Sequence, residues 1–157
     1  LLLNSEFSKL FEKICEPVIQ KVKEIEEYEK YGTLAESFTH YLFTEMLIPS
    51  QRKILFENIE LDMVIPNSDE LQKNNHNAIV IFFVKTSDHT QIEHRIQEIK
   101  KIQNNDSNIW VISKDNLKIS QSTYTIEKES FGQFLKDTQN FIKLKNMNKL
   151  NIFKTKP

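Results

Sequence analysis

The sequence predicts one α/β domain built on a mixed β-sheet with helices on its faces. Three observations lead there. Residues 78–84 form an unbroken apolar run, the pattern of a strand buried on both sides. Residues 59–65 alternate apolar and polar, the pattern of a strand with one buried face. Before and after these strands, apolar residues recur at three- and four-residue steps, the period of a helix. At 157 residues the chain fits one domain with a single core. Eleven Phe, one Trp and four Tyr supply large surfaces to bury.

The first segment, 5–31, reads as helix, with Phe7, Leu10, Phe11, Ile14, Val18, Val22 and Ile25 at helical spacing. Pro17 either kinks it or opens a second helix, and Gly32 is expected to stop it. A second helix runs from Thr33 to about Leu47, opened by a Thr33–Glu36 capping box and ended by Pro49. A short strand over 53–57 turns at Asn58 into the strand 59–65. There Ile59, Leu61, Met63 and Ile65 share one face, and Glu60, Asp62 and Val64 share the other. Pro66 breaks this strand, and a polar loop follows to about Asn77. The apolar run 78–84 is then the central strand. Asp88 caps a helix over 89–103 with the stripe Ile92, Ile96, Ile99, Ile102. Residues 109–112 form a buried strand parallel to the central one, because a helix connects the two. A short strand over 123–126 precedes a last helix, opened by Ser130 with Gln133 as a second capping box. The domain reading is 1–145, with 5–31 as a helical extension and 146–157 as a basic tail in which Leu150, Ile152 and Phe153 can dock.

Composition excludes several function classes. Two glycines, Gly32 and Gly132, leave no Gly-rich phosphate loop. The single cysteine, Cys15, permits no internal disulfide and fits a reducing, cytoplasmic setting. Cys15 reads as a small buried hydrophobe without a base partner. His40, His76, His89 and His94 show no metal-ligand spacing. No stretch approaches the length of a membrane span, and the polar residues after Leu1-Leu2-Leu3 do not fit a signal peptide. The formal net charge of −1 carries no basic excess. The charge is uneven, though: from Lys136 onward six lysines stand against one acid, Asp137.

Three stretches carry a resemblance. Gly32-Thr33-Leu34-Ala35-Glu36, Leu61-Asp62-Met63-Val64-Ile65 and Ile81-Phe82-Phe83-Val84-Lys85 resemble, in order and spacing, the motif segments of the PD-(D/E)XK nuclease superfamily. The layout is nearest to the archaeal Holliday-junction resolvases. The similarity spans about 32–112 and implies a restriction-endonuclease-like fold, with a core of helix, three strands, helix, strand. It implies Glu36, Asp62 and Lys85 as site residues, with Asp62 a ligand of Mg²⁺, which takes oxygen donors. That metal would activate water and stabilise charge on a phosphate, and the lysine would add positive charge beside it.

One residue departs from the pattern. The family carries Asp or Glu two positions before the lysine, and here that residue is Phe83, whose ring cannot ligate Mg²⁺. The expectation is therefore a nuclease-fold domain with impaired cleavage that binds DNA or RNA or serves as a subunit of a nucleic-acid-processing complex. An alternative is an active Mg²⁺-dependent endonuclease whose missing carboxylate is relocated to Glu93 or Glu98, with Asp88 and Glu60 as further acids nearby. A third reading lies outside nucleic acids: the first and last helices form a homodimer or protein-partner interface. Plainer roles stand beside the catalytic ones. Glu36 is explained by helix capping, Asp62 by a solvent-facing strand, and Lys85 as the polar end of a buried strand. Trp110 reads as core.

Overall fold

Helical period and strand alternation produce the expected elements, with shifted boundaries. The computed structural model describes residues 2–21, 26–126 and 130–154. Helix α1 (Leu2–Lys21) contains Pro17 without ending there, and α2 (Glu27–Glu45) follows. A hairpin of β1 (Gln51–Phe56) and β2 (Ile59–Ile65) leads to α3 (Ser68–Lys73) and a 3-10 turn, Asn75–Asn77. Then come β3 (Ile79–Phe83), α4 (His89–Lys100), β4 (Ile109–Ser113), β5 (Ser122–Thr125) and α5 (Ser130–Lys154). The five strands form one mixed sheet in the order β1-β2-β3-β4-β5. The β1–β2 and β2–β3 pairs are antiparallel, and the β3–β4 and β4–β5 pairs are parallel.

The sheet is covered on both faces. Odd-numbered β3 residues, Ile79, Ile81 and Phe83, pack with Phe38 and Phe43 of α2 and Phe131 and Phe134 of α5. Even-numbered neighbours, Val80, Phe82 and Val84, pack with Ile92, Ile96 and Ile99 of α4. An apolar residue is therefore needed at every position of this central strand, which is why 78–84 reads as one run. Trp110 joins the α2–α5 face, its ring 5.6 Å from that of Tyr124.

Several sequence expectations are corrected. Gly32 does not end a helix; it lies inside α2, buried. The helix begins earlier, at Glu27, so Thr33 is interior and the Thr33–Glu36 capping box does not form. The second capping box is also absent. The Ser130 hydroxyl accepts the Thr125 N–H at 3.0 Å, and the Gln133 amide donates to Asp137 at 2.7 Å. The expected loop after Pro66 holds α3, because the Asn67 side chain accepts the Glu70 N–H at 2.9 Å and caps it. The backbone of α5 continues over residues assigned to a tail. Val22 and Ile25, and the side chains of Phe7, Phe11, Cys15, Leu150, Ile152 and Phe153, lie outside the described residues.

The one-face reading of β2 is also corrected. Leu61 packs on the α4 side, whereas Met63 and Ile65 pack on the α2 side. Lys53 would stand opposite Asp62 in the ladder, but that pair is missing and Lys53 has φ 50°. A left-handed residue in one strand breaks the alternation of both. As a result Arg52 projects toward α2, and Ile54, two residues on, packs on the other face.

Candidate functional site

The face switch and one close helix–strand contact assemble a cluster of charges at the end of β3. Gly32 permits the contact. A Cβ placed there would lie 2.4 Å from the Val84 carbonyl oxygen and 2.7 Å from Lys85 Cγ. Only a residue without a side chain lets α2 approach this strand end. One turn further, Glu36 arrives beside Lys85. The carboxylate of Glu36 is 1% exposed, and its two oxygens are used separately: Lys85 Nζ donates to Oε2 at 2.6 Å, and Arg52 Nε donates to Oε1 at 2.7 Å. Arg52 also donates to the Ser37 hydroxyl at 3.2 Å. A carboxylate taken out of water needs such partners, because an unpaired buried charge is costly.

Asp62 faces the same lysine from β2. Its Oδ1 lies 3.7 Å from Lys85 Nζ, and its Oδ2 accepts the Phe83 N–H at 2.9 Å. The β2–β3 ladder ends at Met63 and Ile81. The Asp62 carboxylate takes the next strand donor in place of a main-chain carbonyl. Lys85 thus brings Glu36 and Asp62 together; Glu36 lies well inside α2 and caps nothing, and Asp62 lies on an interior strand, not on a solvent-facing edge. Arg52 completes the cluster. Nothing in the sequence singled it out, since it lies at a strand start with no motif around it.

The two acids are shifted in opposite directions. Burial pushes the Glu36 carboxyl up, but the hydrogen bonds and charges of Lys85 and Arg52 outweigh it, so the net direction is below the ordinary value of 4.5. Burial pushes Asp62 above its ordinary value of 3.8, and the Lys85 charge and the Phe83 N–H offset only part of that. The cluster holds two acids and two bases, so it is neutral as a unit.

An open cleft of about 450 Å³ lies against the cluster. Glu60, Asp62, Phe83 and Lys85 line one side, and Gln91 and Arg95 of α4 line another, with Glu29 of α2 at the rim. Arg95 is held in place: it donates to the Glu60 carbonyl, and it pairs with Glu98 at 3.1 Å. Glu98 is thus engaged with Arg95 and does not line the cleft. Glu93 lines a different recess, with His89 and Asn116. Asp88 is the N-cap of α4, accepting the Thr90 N–H at 2.9 Å.

The donor set does not fit a divalent cation. Phe83, two residues before Lys85, is buried in the α2–α5 core and offers no donor atom. Asp62 offers one oxygen to a main-chain donor and the other to an ammonium, and both oxygens of Glu36 are taken by cations. Among the described residues no group of three or more His, Cys, Asp or Glu is arranged to hold a metal. Among the same residues no helix is long and apolar enough to cross a membrane. Comparison with known proteins adds no relative: no family model, no curated protein and no solved structure matches this chain.

Proposed function

We propose that this chain is a restriction-endonuclease-like domain that keeps the scaffold of a PD-(D/E)XK site without its cleavage chemistry, and that it acts by binding DNA or RNA, alone or as a subunit of a processing complex. One observation carries the reading. Lys85, after β3, bridges Glu36 of α2 and Asp62 of β2; Asp62 and Lys85 line the cleft, Glu36 is buried behind the lysine, and a phenylalanine, Phe83, stands two residues before Lys85 where the motif has its second carboxylate. The element order from α2 to β4 supports it, being helix, three strands, helix, strand once the short α3 insertion is set aside. Lys85 stands between the two acids as their counter-ion, so it is not free to serve a phosphate.

The cleft itself presents Glu29, Glu60 and Asp62 against Lys85 and Arg95, a poor surface for a polyanion. Phosphate contacts are therefore assigned to α5, where Lys136 and Lys143 are exposed. The test is a cleavage assay on branched, double-stranded and single-stranded DNA and on RNA, with Mg²⁺ or Mn²⁺, beside a binding assay on the same substrates. Binding without cleavage is expected. Metal-dependent cleavage abolished by Asp62→Ala would establish an active enzyme instead, and absence of binding to every substrate would remove the nucleic-acid role.

A further inference from the structure

Helix α1 carries an uncovered stripe that the site does not use. It packs against α5 and α2, yet Leu10 is 38%, Ile14 50% and Val18 47% exposed. These residues stand at successive i, i+4 steps and share one helix face. The stripe is extended at its two ends by exposed charges of opposite sign, Glu6 one turn before Leu10 and Lys21 one turn after Val18. Exposed Pro17 lies beside Val18 and widens the apolar part.

We propose that this face is a self-association surface, on which α1 pairs antiparallel with α1 of a second copy about a two-fold axis at Ile14. The pattern is self-complementary around that point. The apolar triplet is centred on Ile14, and the charged pair is centred within half a residue of it. In an antiparallel pair Ile14 meets Ile14, Leu10 meets Val18 of the second copy, and Glu6 falls beside Lys21 of the second copy. The two-fold makes each contact twice, as an isologous interface requires. The ends of the stripe are about 22 Å apart at the helical rise, so both ion pairs form together with the central contact. A parallel pair would instead set Glu6 against Glu6 and Lys21 against Lys21, so the charges select the antiparallel partner. The three apolar residues described on this face bury, per copy, less than the roughly 800 Å² per partner of a permanent interface. The dimer is therefore concentration-dependent.

Sedimentation equilibrium on the full chain tests it. A monomer–dimer equilibrium is expected, and Ile14→Asp should weaken it at least tenfold with the circular dichroism spectrum unchanged. Glu6→Lys and Lys21→Glu should each weaken it about tenfold, because each sets like charges together at two symmetric positions. The combined charge swap should restore it, which a merely sticky surface would not do. A monomer at concentrations up to about 1 mM, a dimer indifferent to Ile14→Asp, or a swap that fails to restore pairing would each overturn the proposal.

Discussion

Glu36 is the residue on which the charge cluster turns. Glu36→Gln removes the anion shared by Lys85 and Arg52. It should cost about 2–3 kcal/mol, below the range for fully buried pairs because both cations can reach water. Denaturant unfolding at neutral pH measures this. The pH dependence follows from the two shifts. Glu36 is held below its ordinary value of 4.5, so its contribution is complete above that value and is lost as pH falls through the lower native value. Asp62 is held above 3.8, so its ionised form is a cost to the native state. That cost is absent below the ordinary value and grows as pH rises through the native one. Asp62→Asn, whose amide oxygen can still accept the Phe83 N–H, should therefore stabilise the protein at neutral pH relative to acid pH. A melt series in pH that shows Asp62→Asn losing ground as pH rises would contradict this assignment. Gly32→Ala puts a methyl group 2.4 Å from the Val84 carbonyl. The usual gain of about 1 kcal/mol for Ala in a helix is then outweighed by the displacement of α2, and a net loss of about 1–3 kcal/mol is expected from overpacking.

At the level of elements, the β1–β2 hairpin is where side-chain sterics work against the backbone. Glu57 and Asn58 form the two-residue turn with φ 48° and 65°, and both positions need the left-handed region. Such a turn favours Asn-Gly, so the double change Glu57→Asn with Asn58→Gly should raise stability by about 1 kcal/mol. A lowered unfolding midpoint would argue that Glu57 has a contact that outweighs its strain. The left-handed Lys53 in the same hairpin has a different consequence. It turns Arg52 toward Glu36 and Ile54 toward α4, so one unusual backbone residue both supplies a cation to the cluster and closes the second core.

Across the whole molecule, charge separates the cleft from the surface. The formal net charge is −1, and the exposed lysines of α5 are cations within reach of a polyanion. If those lysines bind phosphates, reversing Lys136 and Lys143 to Glu should lower nucleic-acid affinity uniformly across sequences. The slope of log K against log salt should fall by about two for duplex DNA, roughly one unit for each lysine–phosphate pair removed. Filter binding over a salt series reads this directly. An unchanged slope would place the phosphate-binding cations elsewhere.

Local order was legible in the chain because it depends on neighbours within a few residues. The apolar run of β3, the α4 stripe and the Asp88 cap are each written in a short window; the run and the cap appear as read, and the stripe does through Ile92, Ile96 and Ile99, with Ile102 falling beyond the helix end at Lys100. So was the five-strand mixed sheet between helices, since strand, helix, strand leaves few arrangements open. Convergence was not legible in the same way. Glu36 and Lys85 are 49 residues apart and meet at 2.6 Å. Resemblance to a known motif grouped Glu36, Asp62 and Lys85, and the same motif offered nothing for Arg52. Gly32 reads locally as a helix stop, and Thr33-x-x-Glu36 reads locally as a cap. Both readings failed because the reason for each residue lies across space, in the end of β3. Period and side-chain chemistry, both written in the chain, were enough to place the five strands and the long helices, but not the short α3 or the switch of buried face within β2. The meeting of two acids and two bases beside a buried Phe83 came from tertiary packing alone, because ion pairing depends on distances of a few ångströms that no spacing along the chain records.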